Sequence, residues 1–214
     1  MLNQIIESIN TIWPKELETL TKELNLPEIK LEIINENTNM FGETLMTVTR
    51  QGFSLLDAKV LDVEFAGKIK LNIKGIANAL RMFPIGSRKI ITPYFVRHVI
   101  LHELKHVHQI FYAKELVIAQ FDKIYSIEYK LFGNGNESGL PAEVDADDFA
   151  VNRVTGEEKL VAEAIVNLHG RDNKGFVKAI KHILLHHTAP KVAKVAAVAG
   201  VGYLLYKLIT KKKA

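Results

Sequence analysis

The stretch FVRHVILHELKHVHQIF, from Phe95 to Phe111, carries four of the chain's eight histidines on an otherwise apolar run. At its centre is HELKH, His102-Glu103-Leu104-Lys105-His106. On an α-helix, positions i and i+4 lie one above the other on one face, so these two imidazoles can share one ion. Glu103 projects about a quarter-turn aside. There a carboxylate can take a proton from a metal-bound water without displacing a ligand. That division of labour is the physical content of the HExxH pattern. Zinc lowers the pKa of its bound water to roughly 7, and the glutamate acts as general base. His102 and His106 are therefore candidate metal ligands and Glu103 the candidate catalytic residue. His98, one turn earlier on the same stripe, reads as a packing residue or a support for a ligand, because three histidines in one straight row seldom converge on a tetrahedral ion. His108 falls on another face and reads as solvated.

A catalytic zinc site takes three protein ligands and keeps one position open. After His106 the candidates are Glu115, Glu128, Glu137, Glu143, Asp145, Asp147, His169 and the pair His186–His187. The segment GLPAEVDADDFAVNRV is acidic on one side and apolar on the other. Its Glu143 and Asp147 again share one helical face, where Glu143 suits the metal and Asp147 suits the free N–H of a ligand histidine. The same acids also suit the first turn of a helix opened by Pro141, so spacing alone leaves both readings open. Glu115 follows His106 too closely for the chain to turn back. Glu128 would need its helix folded over the motif, and Glu137 sits in a Gly/Asn loop, a poor platform for a rigid ligand.

Taken together, ILHELKHVHQ and PAEVDADDFA resemble the zincin metallopeptidases, in the glutamate-ligand branch called gluzincins. The second segment is similar to the E-x-E-A-[ND]-x-F-A block of the ImmA/IrrE-like peptidases and to the E-x-x-A-D block of the HtpX-like membrane peptidases. The resemblance implies that Glu143 is the third zinc ligand beside His102 and His106, with Glu103 as general base. Asp145, Ala146, Asp147, Phe149 and Ala150 fill the rest of the block. Lys105 stands where the family commonly has glycine, and Val107 to Ala142 is an insert filled by a helix of its own. The resemblance covers residues 88–154. The implied activity is zinc-dependent hydrolysis of a peptide bond, acting on a peptide or protein. A reading from another class is a structural or binding component of a larger assembly, of phage or mobile-element type, that retains a zincin fold with little or no activity. The donor for the reaction's oxyanion stays open among Tyr112, Tyr125, Tyr129, His169, His182, His186 and His187.

Outward from this stretch, the first half of the chain reads as one helix and a small sheet. MLNQIIESINTIWPKELETLTKELNL is amphipathic, with a break expected at Pro14. EIKLEIINE, ETLMTVTRQGF and KVLDVEFAGKIKLNIK read as strands with Gly-marked turns, GIANALRMF as a short helix, and RKIITP as a further strand ended by Pro93. Helices are expected over Tyr94–Ala113, Glu115–Leu131, Ala142–Val154, Glu157–Leu168, Lys174–His187 and Lys191–Ile209. The fold class is α+β and zincin-like: a small N-terminal sheet and a helical C-terminal half carrying the HExxH helix. With 48% hydrophobic residues the chain can bury a sizeable core, and the absence of cysteine excludes disulfides, thiolate metal sites and a catalytic thiol.

Charge divides the chain unevenly. From Asn173 to Ala214 there are nine lysines and no acid, which leaves 19 basic against 24 acidic residues before them. Residues 1–172 therefore read as the metallopeptidase domain, split into 1–93 and 94–172, and 173–214 as a basic, apolar helical tail. The tail's longest apolar run, Val195–Tyr206, would give about 18 Å of helix against a hydrocarbon core of about 30 Å. Residues 190–210 suit contact with a membrane surface or burial in a protein assembly. Nucleic acid is the poorer match, since residues 188–214 have no arginine and only two aromatics. The N-terminus lacks a basic region followed by an apolar core, so no secretion signal is expected. A cytoplasmic or membrane-associated location follows.

Overall fold

The structure, a computed structural model, describes residues 1–38, 40–51, 59–125, 139–170, 172, 174–178 and 180–181. In order along the described residues come α1 (Leu2–Leu24), β1 (Lys30–Ile34), β2 (Gly42–Gln51), β3 (Lys59–Asn72), α2 (Ile73–Leu80), a 3-10 turn (Ile85–Ser87), α3 (Arg88–Tyr112), α4 (Lys114–Tyr125), α5 (Pro141–Asn152) and α6 (Gly156–His169). The class is α+β. Residues 174–178 and 180–181 are also helical.

The helix α3 is the axis of the molecule. Phe95, Val96, Val99, Ile100, Leu101, Leu104 and Val107 are all buried, though they point to several sides. A helix that is apolar all round must be sheathed, and α1, α5, α6, α4 and the sheet surround it. It begins at Arg88, so RKIITP is its first turns and not a strand. Pro93 has no N–H to offer the carbonyl of Lys89, and an orphaned carbonyl would ordinarily end the helix there. The Gln4 side chain replaces the missing donor, its Nε2 lying 2.8 Å from Lys89 O. A residue 89 positions later is thus kept helical by α1.

Pro14 likewise breaks nothing. The helix α1 runs through it, with Ile5 and Ile9 before it and Leu20 after it in the same core cluster. Arg97 of α3 also clamps Glu16 at 2.7 Å, just past the proline. Packing on both sides offsets the roughly 3 kcal/mol that an interior proline costs.

The sheet has the order β1-β3-β2, with β1 parallel and β2 antiparallel to β3. Between the pairs Thr44↔Ile69 and Met46↔Phe65, β3 spends two residues more than β2, and Gly67 sits in that excess at φ 77°. Gly67 therefore makes a bulge inside one long strand, which sharpens its twist. β2 is left as an edge strand whose beginning reaches α3.

α5 opens with Pro141 at its first position and buries Ala142, Ala146 and Ala150 on one stripe. Three small residues at that spacing let it lie close against α3. Glu143 and Asp147 then face the histidines directly. The core also crosses residue 172, because Phe176 and Ile180 are buried in the main cluster. Among the described residues no helix is long and apolar enough to cross a membrane. The tail after Lys181, including the expected helix Lys191–Ile209, lies outside the described residues, as do residues 126–131 of the expected second helix.

Candidate metal centre

Two helices build the site from one spacing used twice. α3 presents His98, His102 and His106 at successive turns, and α5 presents Glu143 and Asp147 one turn apart. The helices run antiparallel, so Glu143 meets His102 and His106 while Asp147 meets His98 and His102. Glu143 Oε2 lies 3.3 Å from His102 Nε2, and its Oε1 lies 3.5 Å from His106 Nε2. The two Nε2 atoms are 2.9 Å apart. A tetrahedral ion with bonds of about 2.1 Å sets its ligand atoms about 3.4 Å apart, and these three separations fall around that value, with Glu143 turning one oxygen to each imidazole.

Each ligand has its own orienting partner. His102 Nδ1 donates to Asp147 Oδ1 at 2.8 Å, which leaves Nε2 free for an ion. His106 Nδ1 donates to Gln109 Oε1 at 2.8 Å, and the Gln109 amide nitrogen is spent on Ala142 O and Asp145 Oδ2. Gln120 donates to Glu143 Oε1 at 3.1 Å and accepts from Ala142 N–H, one of the donors that α5 leaves orphaned at its start. Gln109 and Gln120 are both buried.

The electrostatics follow from this packing. Burial alone pulls the His102 pKa down, yet Asp147, Glu143 and nearby Glu103 together push it up to about 10. His106 is raised against the same burial by Glu143. Burial opposes ionisation of Glu143 and Asp147, but the facing imidazoles hold both carboxyls well below the usual range. In the metal-free protein two acids thus hold a proton on His102, and a metal ion would take that proton's place.

Glu103 is buried a quarter-turn from the ligands, and burial raises its pKa. Thr44 Oγ1 of β2 lies 2.8 Å from Glu103 Oε2 and 2.9 Å from the Glu103 carbonyl, so its single hydroxyl proton is shared between carboxylate and backbone. Gly42 makes this approach possible. A Cβ there would sit 2.5 Å from Glu103 Oε1 and 2.8 Å from both Cδ and Cγ. These groups border a cleft of about 700 Å³, walled by β2 on one side and by Val117, Phe121, Ile124 and Tyr125 of α4 on the other.

Two trios among the described residues can hold a metal ion: His102–His106–Glu143 and His98–His102–Asp147. They share His102. In the second trio the Asp147 oxygen is already committed to His102 Nδ1, so the first is the better site. His98 is buried, its ring nitrogens have no hydrogen-bond partner within 3.5 Å among the described residues, and its Nε2 stands 3.6 Å from Asp147. Burial lowers its pKa despite the neighbouring carboxylate. His108 is half-buried beside Tyr112 and not fully solvated, because the tyrosine ring covers it at 4.9 Å.

No family model, curated protein or solved structure matches this chain. The site therefore stands on its geometry.

Of the other acids weighed from sequence, Glu115 is exposed in the first turn of α4, while Glu128 and Glu137 lie outside the described residues. Tyr112 bonds to Asn25, and Tyr125 lines the cleft. Tyr129, His182, His186, His187 and the His169 side chain lie outside what is described. Sequence reasoning missed four residues. Gln109 carried a usable signal, a polar side chain one turn from His106 on an apolar helix. Gln120, Thr44 and Gly42 carried none.

Proposed function

We propose that the chain is a zinc-dependent peptidase, with zinc held by His102, His106 and Glu143 and with Glu103 as its general base. The observation that carries this reading is the convergence of three ligand atoms and a separate buried carboxylate on one open cleft. Two imidazoles and one carboxylate suit zinc better than the hard cations, which take oxygen-rich shells. Bound there, zinc would acidify a coordinated water and polarise a substrate carbonyl.

The protein's own residues do the rest. Glu103 takes a proton from the attacking water and delivers it to the nitrogen of the departing amine, so the C–N bond breaks after the new C–O bond has formed. Burial raises its proton affinity, which suits a group that must both accept and donate near neutral pH. Thr44 fixes where that proton is held. Asp147 and Gln109 keep the Nδ1–H of each histidine turned away from the cleft. β2 is an edge strand beside the cleft among the described residues, and an extended peptide can dock along such an edge as an added strand. The resemblance of the two sequence blocks to gluzincins supports the same reading.

The test is Glu103→Gln, assayed against a mixed peptide library with metal content measured in parallel. The variant is expected to keep one zinc per chain and to lose about 10²- to 10⁴-fold in turnover. A metallated wild type that cleaves nothing would favour the alternative, a structural component that retains the fold.

A further inference from the structure

We propose that the segment Arg81–Ile90 is a docking loop for an anionic membrane surface, independent of the metal centre and of the peptidase reading. Ile85 is 80% exposed, more than any other exposed large hydrophobic residue among those described, and Met82 and Ile90 are 48% and 40% exposed. These three lie within nine residues. The loop that carries them is braced, with Phe83 and Ser87 buried beneath it. Arg88 donates from Nε to Phe83 O at 2.9 Å and from Nη2 to Arg81 O at 2.8 Å, closing the loop on itself. Ser87 Oγ adds a bond to Pro84 O at 2.8 Å. The apolar tip is thus held outward by its own hydrogen bonds, whereas a loose loop would be free to turn Ile85 inward.

Charge says what the tip meets. Between Glu64 and Glu103 the chain has seven lysines and arginines and no acid. Lys68, Lys70 and Arg97 are neutralised by ion pairs with acids from elsewhere. Arg81, Arg88 and Lys89 make no such pair among the described residues, and they flank the apolar tip along the chain. An apolar wedge flanked by unneutralised cations matches the boundary between anionic headgroups and acyl chains. A nucleic acid would use the cations but leave Ile85 and Met82 in water. The lysine-rich segment that begins at Asn173 is also anchored here, for the Phe176 ring packs edge-on against Phe83 at 5.6 Å.

The full-length protein, its Ile85→Asp variant, the double variant Arg81→Glu/Lys89→Glu and a control Leu61→Asp are partitioned onto phosphatidylcholine vesicles with and without phosphatidylserine. Leu61 is 50% exposed on the sheet, so its change matches the chemistry at a different place. Wild type is expected to prefer the anionic vesicles. Ile85→Asp should lower that binding about tenfold or more, and the double charge reversal at least about twentyfold. Leu61→Asp should leave it unchanged. Ile85→Trp should shift its emission to the blue on vesicle addition, measured as the difference from wild type, which already contains Trp13. Equal partitioning of wild type and Ile85→Asp would overturn the proposal. So would an unshifted Ile85→Trp, or Ile85→Asp abolishing a dimer in sedimentation velocity while vesicle binding persists. Loss of binding to a DNA oligonucleotide in the double variant, with vesicle binding intact, would equally overturn it.

Discussion

Gly42→Ala is the sharpest probe of the proposed reaction, because it replaces neither a metal ligand nor the base and acts only by displacing the Glu103 carboxylate. Gly42 is not among the residues with positive φ, so alanine fits its backbone. The new Cβ would stand 2.5 Å from Glu103 Oε1, where ordinary contact begins at 3.4 Å. The carboxylate must therefore retreat by roughly 0.9 Å, and a misplacement of about 1 Å costs about 10²-fold in rate. Glu103 cannot simply swing clear, because Cγ and Cδ are crowded too and Thr44 holds the far oxygen. The accompanying loss of stability should be about 1–3 kcal/mol, typical of overpacking. The assay is kcat on a peptide cleaved by wild type, with metal stoichiometry by elemental analysis and Tm by calorimetry. We expect zinc retained, the fold retained and kcat reduced about a hundredfold. A Gly42→Ala enzyme within a few-fold of wild type would refute the placement of Glu103 as the proton carrier.

Metal binding should track the geometry: His102→Ala, His106→Ala and Glu143→Ala each lower zinc affinity by orders of magnitude, and Asp147→Ala by about 10- to 100-fold, read by competition with a chromophoric chelator. Zinc retained stoichiometrically in the His102→Ala/His106→Ala double variant would sink the site. In metal-free protein the raised His102 pKa contributes stability that is fully present below the imidazole's ordinary 6.5 and is lost as pH rises through about 10. The Tm in chelator should fall across that window and fall much less with zinc bound; two parallel profiles would show that Asp147 and Glu143 do not hold His102 as described. Ending the chain after Lys181 should leave a folded, metal-binding body. Ending it after Gly170 removes the buried Phe176 and Ile180 and should cost about 3–5 kcal/mol for the phenylalanine alone, measured by urea unfolding.

Local period was legible in the sequence wherever it alone governs structure. A helical repeat of 3.6 residues puts His102 under His106 and Glu143 beside Asp147 whatever the rest of the chain does. Alternation marked the three strands, and the absence of acids after Asp172 marked the basic segment. Boundaries and completion of the site were decided elsewhere. α3 begins before Pro93 because Gln4, 85 residues upstream of Lys89, supplies the donor the proline removed. Glu103 is positioned by Thr44, 59 residues earlier, and by the missing side chain at Gly42. Gln120 steadies Glu143 from a different helix. Each of these partners is an ordinary glutamine, threonine or glycine with no local signature. A side chain's period is a property of its own segment, whereas its hydrogen-bond partner and the space around it are properties of whichever segment packs against it. Only the tertiary structure brings those segments together.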